Sequence, residues 1–180
     1  MWDMTGIDAY RFGRADLQRV TYSKYYAGNK MKGGIGNQLC GYGVTWDLWT
    51  GHVSDSNYHS TAGYLEAQEE FQNSDLVLGE LVKFMNMLDK GYRARAVNEA
   101  RNQLTAQPVF AKSDQRFRGQ DTLYSASVAL DRGGNKRTVN VSKRCGIIAR
   151  GFQPRTDPTM FNDVWLCWMF QANFMYSPVL

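Results

Sequence analysis

The spacing of hydrophobic and polar positions changes several times along the chain, and each change marks an expected element. Residues 1–5 read as the end of a strand. The polar, aromatic stretch 8–32 is expected to be irregular or part helical. Residues 35–44 (IGNQLCGYGV) and 48–53 (LWTGHV) read as two strands around a turn-like TWD. Ser54, Asp55 and Ser56 are good N-caps ahead of a helix containing YLEAQEEFQ, and 76–84 can extend that helical region. Residues 85–88 predict a short buried strand that runs into Asp89-Lys90-Gly91-Tyr92, 94–103 a helix, and 107–111 a strand. Helical spacing then covers 122–149, weakened at Gly133-Gly134 by about 1 kcal/mol per glycine. Residues 163–176 form a last, mostly buried helix, with Trp165, Trp168 and Met169 at i, i+3 and i+4 and Phe170 beside them. Strands first, then helix and strand in alternation, then two helices: this order fits an α/β chain with a mixed sheet and helices on its faces.

Composition narrows the class. A chain of 180 residues is long enough for one domain with a sizeable core, and 43% hydrophobic with 21% charged residues is ordinary globular composition. No internal repeat or low-complexity stretch is visible. The opening MWDMTGIDAY has neither the basic nor the apolar region of a secretory signal, and its start on a strand suggests a core cut from a longer protein. The greasiest region, 160–176, is broken by Asn162, Asp163, Gln171 and Asn173, so no membrane partner is expected. Cys40, Cys145 and Cys167 are widely spaced and odd in number, which points to buried thiols in a reducing, intracellular compartment and against a cysteine-built zinc site.

Charge changes the picture more. Residues 1–90 carry a net charge of −3, whereas 91–155 carry 13 basic and 4 acidic residues. A basic segment on a near-neutral body suits a polyanion, although scattered solubilising charge accounts for it equally well.

Six sets of residues could carry chemistry. Asp3 lies on the first strand and Asp89 at the end of a later one. Carboxylates at neighbouring strand ends can converge and bind Mg²⁺ or Mn²⁺, which prefer oxygen ligands. Spacing alone favours the plainer reading, that both are turn or cap residues. His52, Asp55 and His59 match zinc spacing poorly, and Asp55 is better explained as a cap. Gly33-Gly34-Ile35-Gly36 lacks the rest of a phosphate loop and reads as a flexible lead-in to a strand. Tyr22, Lys24, Tyr25, Tyr26, Lys30 and Lys32 could grip nucleic acid by stacking and phosphate contacts, or simply pack a long loop. Trp165, Trp168, Met169 and Phe170 read as core. Finally, Arg132, Lys136 and Lys143 stand at offsets 0, 4 and 11 and so fall near one line of a helix.

Four of these stretches, in order, resemble the nuclease core of DDE superfamily endonucleases, the PIF/Harbinger-like and related insertion-sequence transposases. Asp3-Met4-Thr5-Gly6-Ile7 is similar to the family's D-G-T-x-I, and Gly51 to Ser56 to its G-x-x-x-D-S. Asp89-Lys90-Gly91-Tyr92 resembles D-[KA]-G-Y, and Arg132-x3-Lys136-x6-Lys143 resembles R-x3-E-x6-K. The resemblance implies an RNase H-like fold, a five-stranded mixed sheet flanked by helices. It also implies Asp3 and Asp89 as catalytic metal ligands, Mg²⁺ or Mn²⁺ as cofactor, and double-stranded DNA as the partner cut and joined. Arg132, Lys143, Arg144, Lys24 and Lys30 become the expected DNA-binding residues. A homo-oligomer is compatible with it, as is a nuclear location in a eukaryote, and the region upstream that reads DNA sequence is expected to lie outside this chain.

Position 136 departs from the pattern, with lysine where the family has its metal-binding glutamate. Two unit charges about 4 Å apart interact by about 4 kcal/mol at an effective dielectric near 20, so a cation here opposes a metal. Three expectations follow: a degenerate core in which Lys136 pairs with Asp3 and Asp89 and no metal is held; an active nuclease that uses another acid or one metal; or a domesticated, non-enzymatic DNA-binding module.

Overall fold

The computed structural model describes residues 1–38, 42–74, 83–110 and 116–175. Its centre is the long strand β3 (Gly28–Asn37), against which β1 (Trp2–Asp8) runs antiparallel from Trp2 opposite Gly36 to Asp8 opposite Lys30. Three short strands, β2 (Tyr22–Ser23), β4 (Gly43–Thr45) and β5 (Trp49–Thr50), pair antiparallel with successive parts of β3. A second, two-stranded parallel sheet joins β6 (Met85–Met87) to β7 (Leu104–Ala106). The chain is thus mixed α/β, with five antiparallel strands and a separate parallel pair rather than one mixed sheet.

Side chains of β1 alternate between two cores, as the two-residue period of a strand requires. Trp2 and Met4 join Tyr58, Tyr64, Leu65, Leu88 and Tyr92, beneath α2 (Asp55–Thr61) and α3 (Tyr64–Gln72). Ile7 joins Met31, Ile35, Ile148, Phe161, Trp165 and Met169 on the opposite face, where α6 (Gly146–Arg150) and α7 (Pro158–Met175) lie. Asp3 shares the Ile7 side, because two and four residues separate positions of one face.

The glycines of β3 are packing residues, which overturns their reading as a flexible lead-in. A Cβ on Gly33 would sit 2.6 Å from the Trp165 ring, and one on Gly36 2.8 Å from the Trp2 ring. A Cβ on Gly34 would strike the ring of Tyr58. Aromatic rings from both layers therefore rest directly on the strand backbone, and only glycine leaves them room.

Several element boundaries moved. The stretch 8–32 contains α1 (Ala15–Thr21), β2 and the start of β3. The helix expected after residue 54 breaks at Gly63, whose φ of 87° is open to glycine, so α2 and α3 are separate. The 94–103 helix stops early as α4 (Arg95–Ala100), because Asn102 turns left-handed at φ 56°. The next strand consequently forms at Leu104–Ala106 instead of 107–111, and Pro108 has no N–H with which to prolong it. Most of 76–84 lies outside the described residues, as do Cys40 and position 111.

Helix α5 (Gly119–Ser142) runs unbroken through Gly133-Gly134. Its first half lies by the parallel pair, where Ser125 Oγ accepts a 3.1 Å hydrogen bond from Val109 N–H. Its second half packs on β1 and β3, with Val139 against the Ile7 core. Arg132 therefore stands midway, where the two sheets meet. Asp157 starts α7 by accepting from Thr159 N–H at 2.7 Å, ahead of Pro158 in the first turn. Trp165 and Met169 are core as expected, but Phe170 is 67% exposed. Cys145 is half-buried and Cys167 exposed, both free, which corrects the expectation of buried thiols. Among the described residues no helix is long and apolar enough to cross a membrane.

Candidate functional site

β1 delivers Asp3 and the turn after β6 delivers Asp89. The loop that carries Asp89 is pinned by Gln107, a buried side chain whose Nε2 donates to the carbonyls of Asp89 (2.9 Å) and Tyr92 (2.8 Å). Asp89 Oδ1 accepts from Arg132 Nη1 at 2.9 Å, an ion pair whose arginine is mostly buried and whose aspartate is half exposed. Asp3 is electrostatically coupled to Arg132, Asp89 and Asp55. Residues far apart in sequence thus share one charged region, in which Arg132 touches Asp89 and Asp3 lies near enough to feel both charges.

Asp55 enters this cluster as the first residue of α2. Sequence reasoning assigned it to capping, but the cap is Ser54, whose Oγ accepts from Asn57 N–H at 3.1 Å. Asp55 instead takes a 2.6 Å ion pair from Lys32, a buried lysine on β3 that also donates to Val53 O at 2.6 Å. The signal for this role was Asp55's place in the G-x-x-x-D-S stretch; nothing in the sequence marked Lys32 as its partner.

Burial raises the Asp3 carboxyl above its usual range. The Met4 amide, 2.9 Å from Asp3 Oδ1, and Arg132 pull it back down, while Asp89 and Asp55 push it further up. Tyr92, buried beside the same three carboxylates, is held well above its ordinary value by burial first and by their charges second. Tyr26, over Gly6, is raised by burial first and then by the charges of Asp55, Tyr25 and Asp3.

This sets a sign for stability. The folded-state value of Asp3 lies above the free value of 3.8, so folding disfavours its ionised form. Stability is full below the unfolded value and is lost as pH rises through the folded one. Asp3→Asn removes that loss. It is expected to raise the urea midpoint at neutral pH and to match the parent below about pH 4. A variant less stable than the parent at neutral pH would show that the carboxylate is a net stabiliser.

Lys136 does not pair with the carboxylates. It is exposed and makes no hydrogen bond or ion pair among the described residues, and the cation on Asp89 is Arg132. The reason is rotation: position 136 is turned about 40° from 132 around the helix, away from the buried face of Val128, Asn135 and Ser142. Lys143 caps α5 and is exposed, as is Arg144, which has a partner. Lys30 pairs with Asp8 and lies 5.3 Å over the Tyr26 ring, and Lys24 is exposed beside Arg19 and His52. The basic candidates are therefore spread over several elements.

A divalent ion does not fit the residues present. No group of three potential ligands occurs among the described residues, Arg132 occupies Asp89, and Lys136 adds positive charge on the same edge of α5. The histidines do not converge either. His59 is fully buried, its Nε2 2.9 Å from Asn98 Oδ1, and burial lowers its pKa while that hydrogen bond opposes the shift, whereas His52 is exposed. No family model, curated protein or solved structure matches the chain.

Proposed function

We propose that this chain is an RNase H-like, DDE-transposase-type core that binds double-stranded DNA and whose metal-dependent cleavage is impaired at Lys136. One observation carries the reading: Arg132 pairs with Asp89, and Asp3 feels the charges of both, three residues drawn from three of the four stretches that resemble the family. The basic residues of 91–155 supply the attraction for phosphates, and Lys136 and Lys143 are exposed along one edge of α5. Arg132 and Lys32 neutralise two of the carboxylates, so a phosphate can approach without a metal to screen it.

Fluorescence anisotropy with a labelled blunt duplex across a range of salt tests this. Affinity is expected to fall steeply with salt, and Lys136→Gln with Lys143→Gln to reduce the slope by roughly 2. Absence of duplex binding, or binding indifferent to salt, overturns the reading. Cutting of the same duplex with Mg²⁺ or Mn²⁺, abolished by Asp89→Ala, would replace an impaired core with an active nuclease. Binding without cutting matches a domesticated DNA-binding module.

A further inference from the structure

Beyond the carboxylate cluster, at the carboxyl ends of the parallel strands β6 and β7, lies an open groove of about 560 Å³. Crevices at the carboxyl ends of parallel strands are favoured ligand sites, and this volume is in the range of small-ligand pockets. Its walls are of two kinds. Tyr92, Pro108, Phe110 and Tyr124 make an aromatic and apolar side, with Phe110 56% exposed. Arg93 and Arg95 make a basic side. Both arginines are exposed, and their guanidinium groups have no hydrogen bond or ion pair among the described residues.

We propose that this groove holds an unpaired nucleotide of a DNA strand that runs on from the Asp3–Asp89 cluster; the inference rests on the DNA-binding reading above. An aromatic face takes up a single base only when that base has left its stack, so a base inside a duplex has no free π-face to offer Phe110. The free guanidinium groups suit the phosphate beside such a base. Continuity with the cluster is built in. Asp89 and Tyr92 belong to one loop, Gln107 ties that loop to the end of β7, and Lys90 Nζ lies 5.5 Å from the Phe110 centroid. Tyr92 lines the groove and also feels the charges of Asp55, Asp3 and Asp89.

The test compares two labelled probes by anisotropy at one salt concentration: a blunt duplex, and the same duplex with a few unpaired nucleotides at one end. The unpaired end is expected to tighten binding roughly 5- to 100-fold. Phe110→Ala should bring the ratio of the two affinities close to one, Phe110→Trp should preserve it, and Arg93→Gln with Arg95→Gln should weaken the overhang probe. Equal affinity for both probes, or a ratio unmoved by Phe110→Ala, overturns the inference while salt-dependent duplex binding leaves the core reading intact. Failure of both probes to bind removes both. Should Phe110→Ala unfold, Phe110→Leu keeps the bulk without the π-face and carries the same expectation.

Discussion

Lys136→Glu is expected to acquire Mn²⁺ binding in the micromolar range, at least about tenfold tighter than the parent, and to lose it again when Asp3→Asn is added. The change at position 136 is two charge units, from a cation to a carboxylate on the edge of α5, one helical turn beyond Arg132, which pairs with Asp89. A tenfold change requires only about 1.4 kcal/mol. Two unit charges interact by about 4 kcal/mol at about 4 Å and an effective dielectric near 20, and by less at the longer range and screening of an exposed position, which a change of two charge units offsets. Glutamate is a good helix former and position 136 is exposed, so the fold is expected to tolerate it. Isothermal calorimetry of the three proteins decides the matter. Coincident isotherms for parent and Lys136→Glu would mean that side chain 136 does not reach the cluster, and the DDE reading would then fail at that residue.

Trp165→Ala is expected to lower the unfolding free energy by about 3–5 kcal/mol, a large part of the 5–15 kcal/mol typical of a domain. Trp165 is 0% exposed, and its Nε1 donates to Trp46 O at 3.1 Å. Its ring lies flush on the backbone at Gly33, so alanine loses the packing area and leaves a void that the strand cannot close. The same helix supplies controls. Trp168 is only partly buried and donates to Val141 O at 3.2 Å, so alanine there is expected to cost less. Phe170→Ala should stay within about 0.5 kcal/mol, since the ring is mostly in solvent. Urea denaturation with an unchanged m-value reads all three. A loss below about 1 kcal/mol for Trp165 would sink the account of the glycine–aromatic layer.

Local pattern carried much of the architecture. The 3.6-residue spacing of 122–149 and 163–176 marked α5 and α7, although the first stretch breaks at 143–145 into α5 and α6, and the short apolar run before Asp89 marked β6. Two glycines in succession suggested a weak point in α5, yet the helix continues because packing along its length outweighs their intrinsic cost. Boundaries moved where a single residue's backbone decided them, as at Gly63 and Asn102.

The candidate site was legible as residue types and not as partners. Asp3, Asp89 and Arg132 could be named from their stretches. Which cation would meet which carboxylate depends on the rotation of α5 against β1 and β6, and no local pattern encodes that rotation. Arg132 therefore took the place expected of Lys136, and Lys32, read as a member of an aromatic and basic loop, became the buried partner of Asp55. The glycines of β3 follow the same rule: their spacing was visible, but the rings of Trp165, Tyr58 and Trp2 that require them come from distant segments. By itself the sequence determined several of the helices and strands, the charge asymmetry and the chemical groups available, because these depend on neighbours along the chain. Only the tertiary structure decided ion pairing, burial and the shared site, because those depend on distances between segments that the chain keeps far apart.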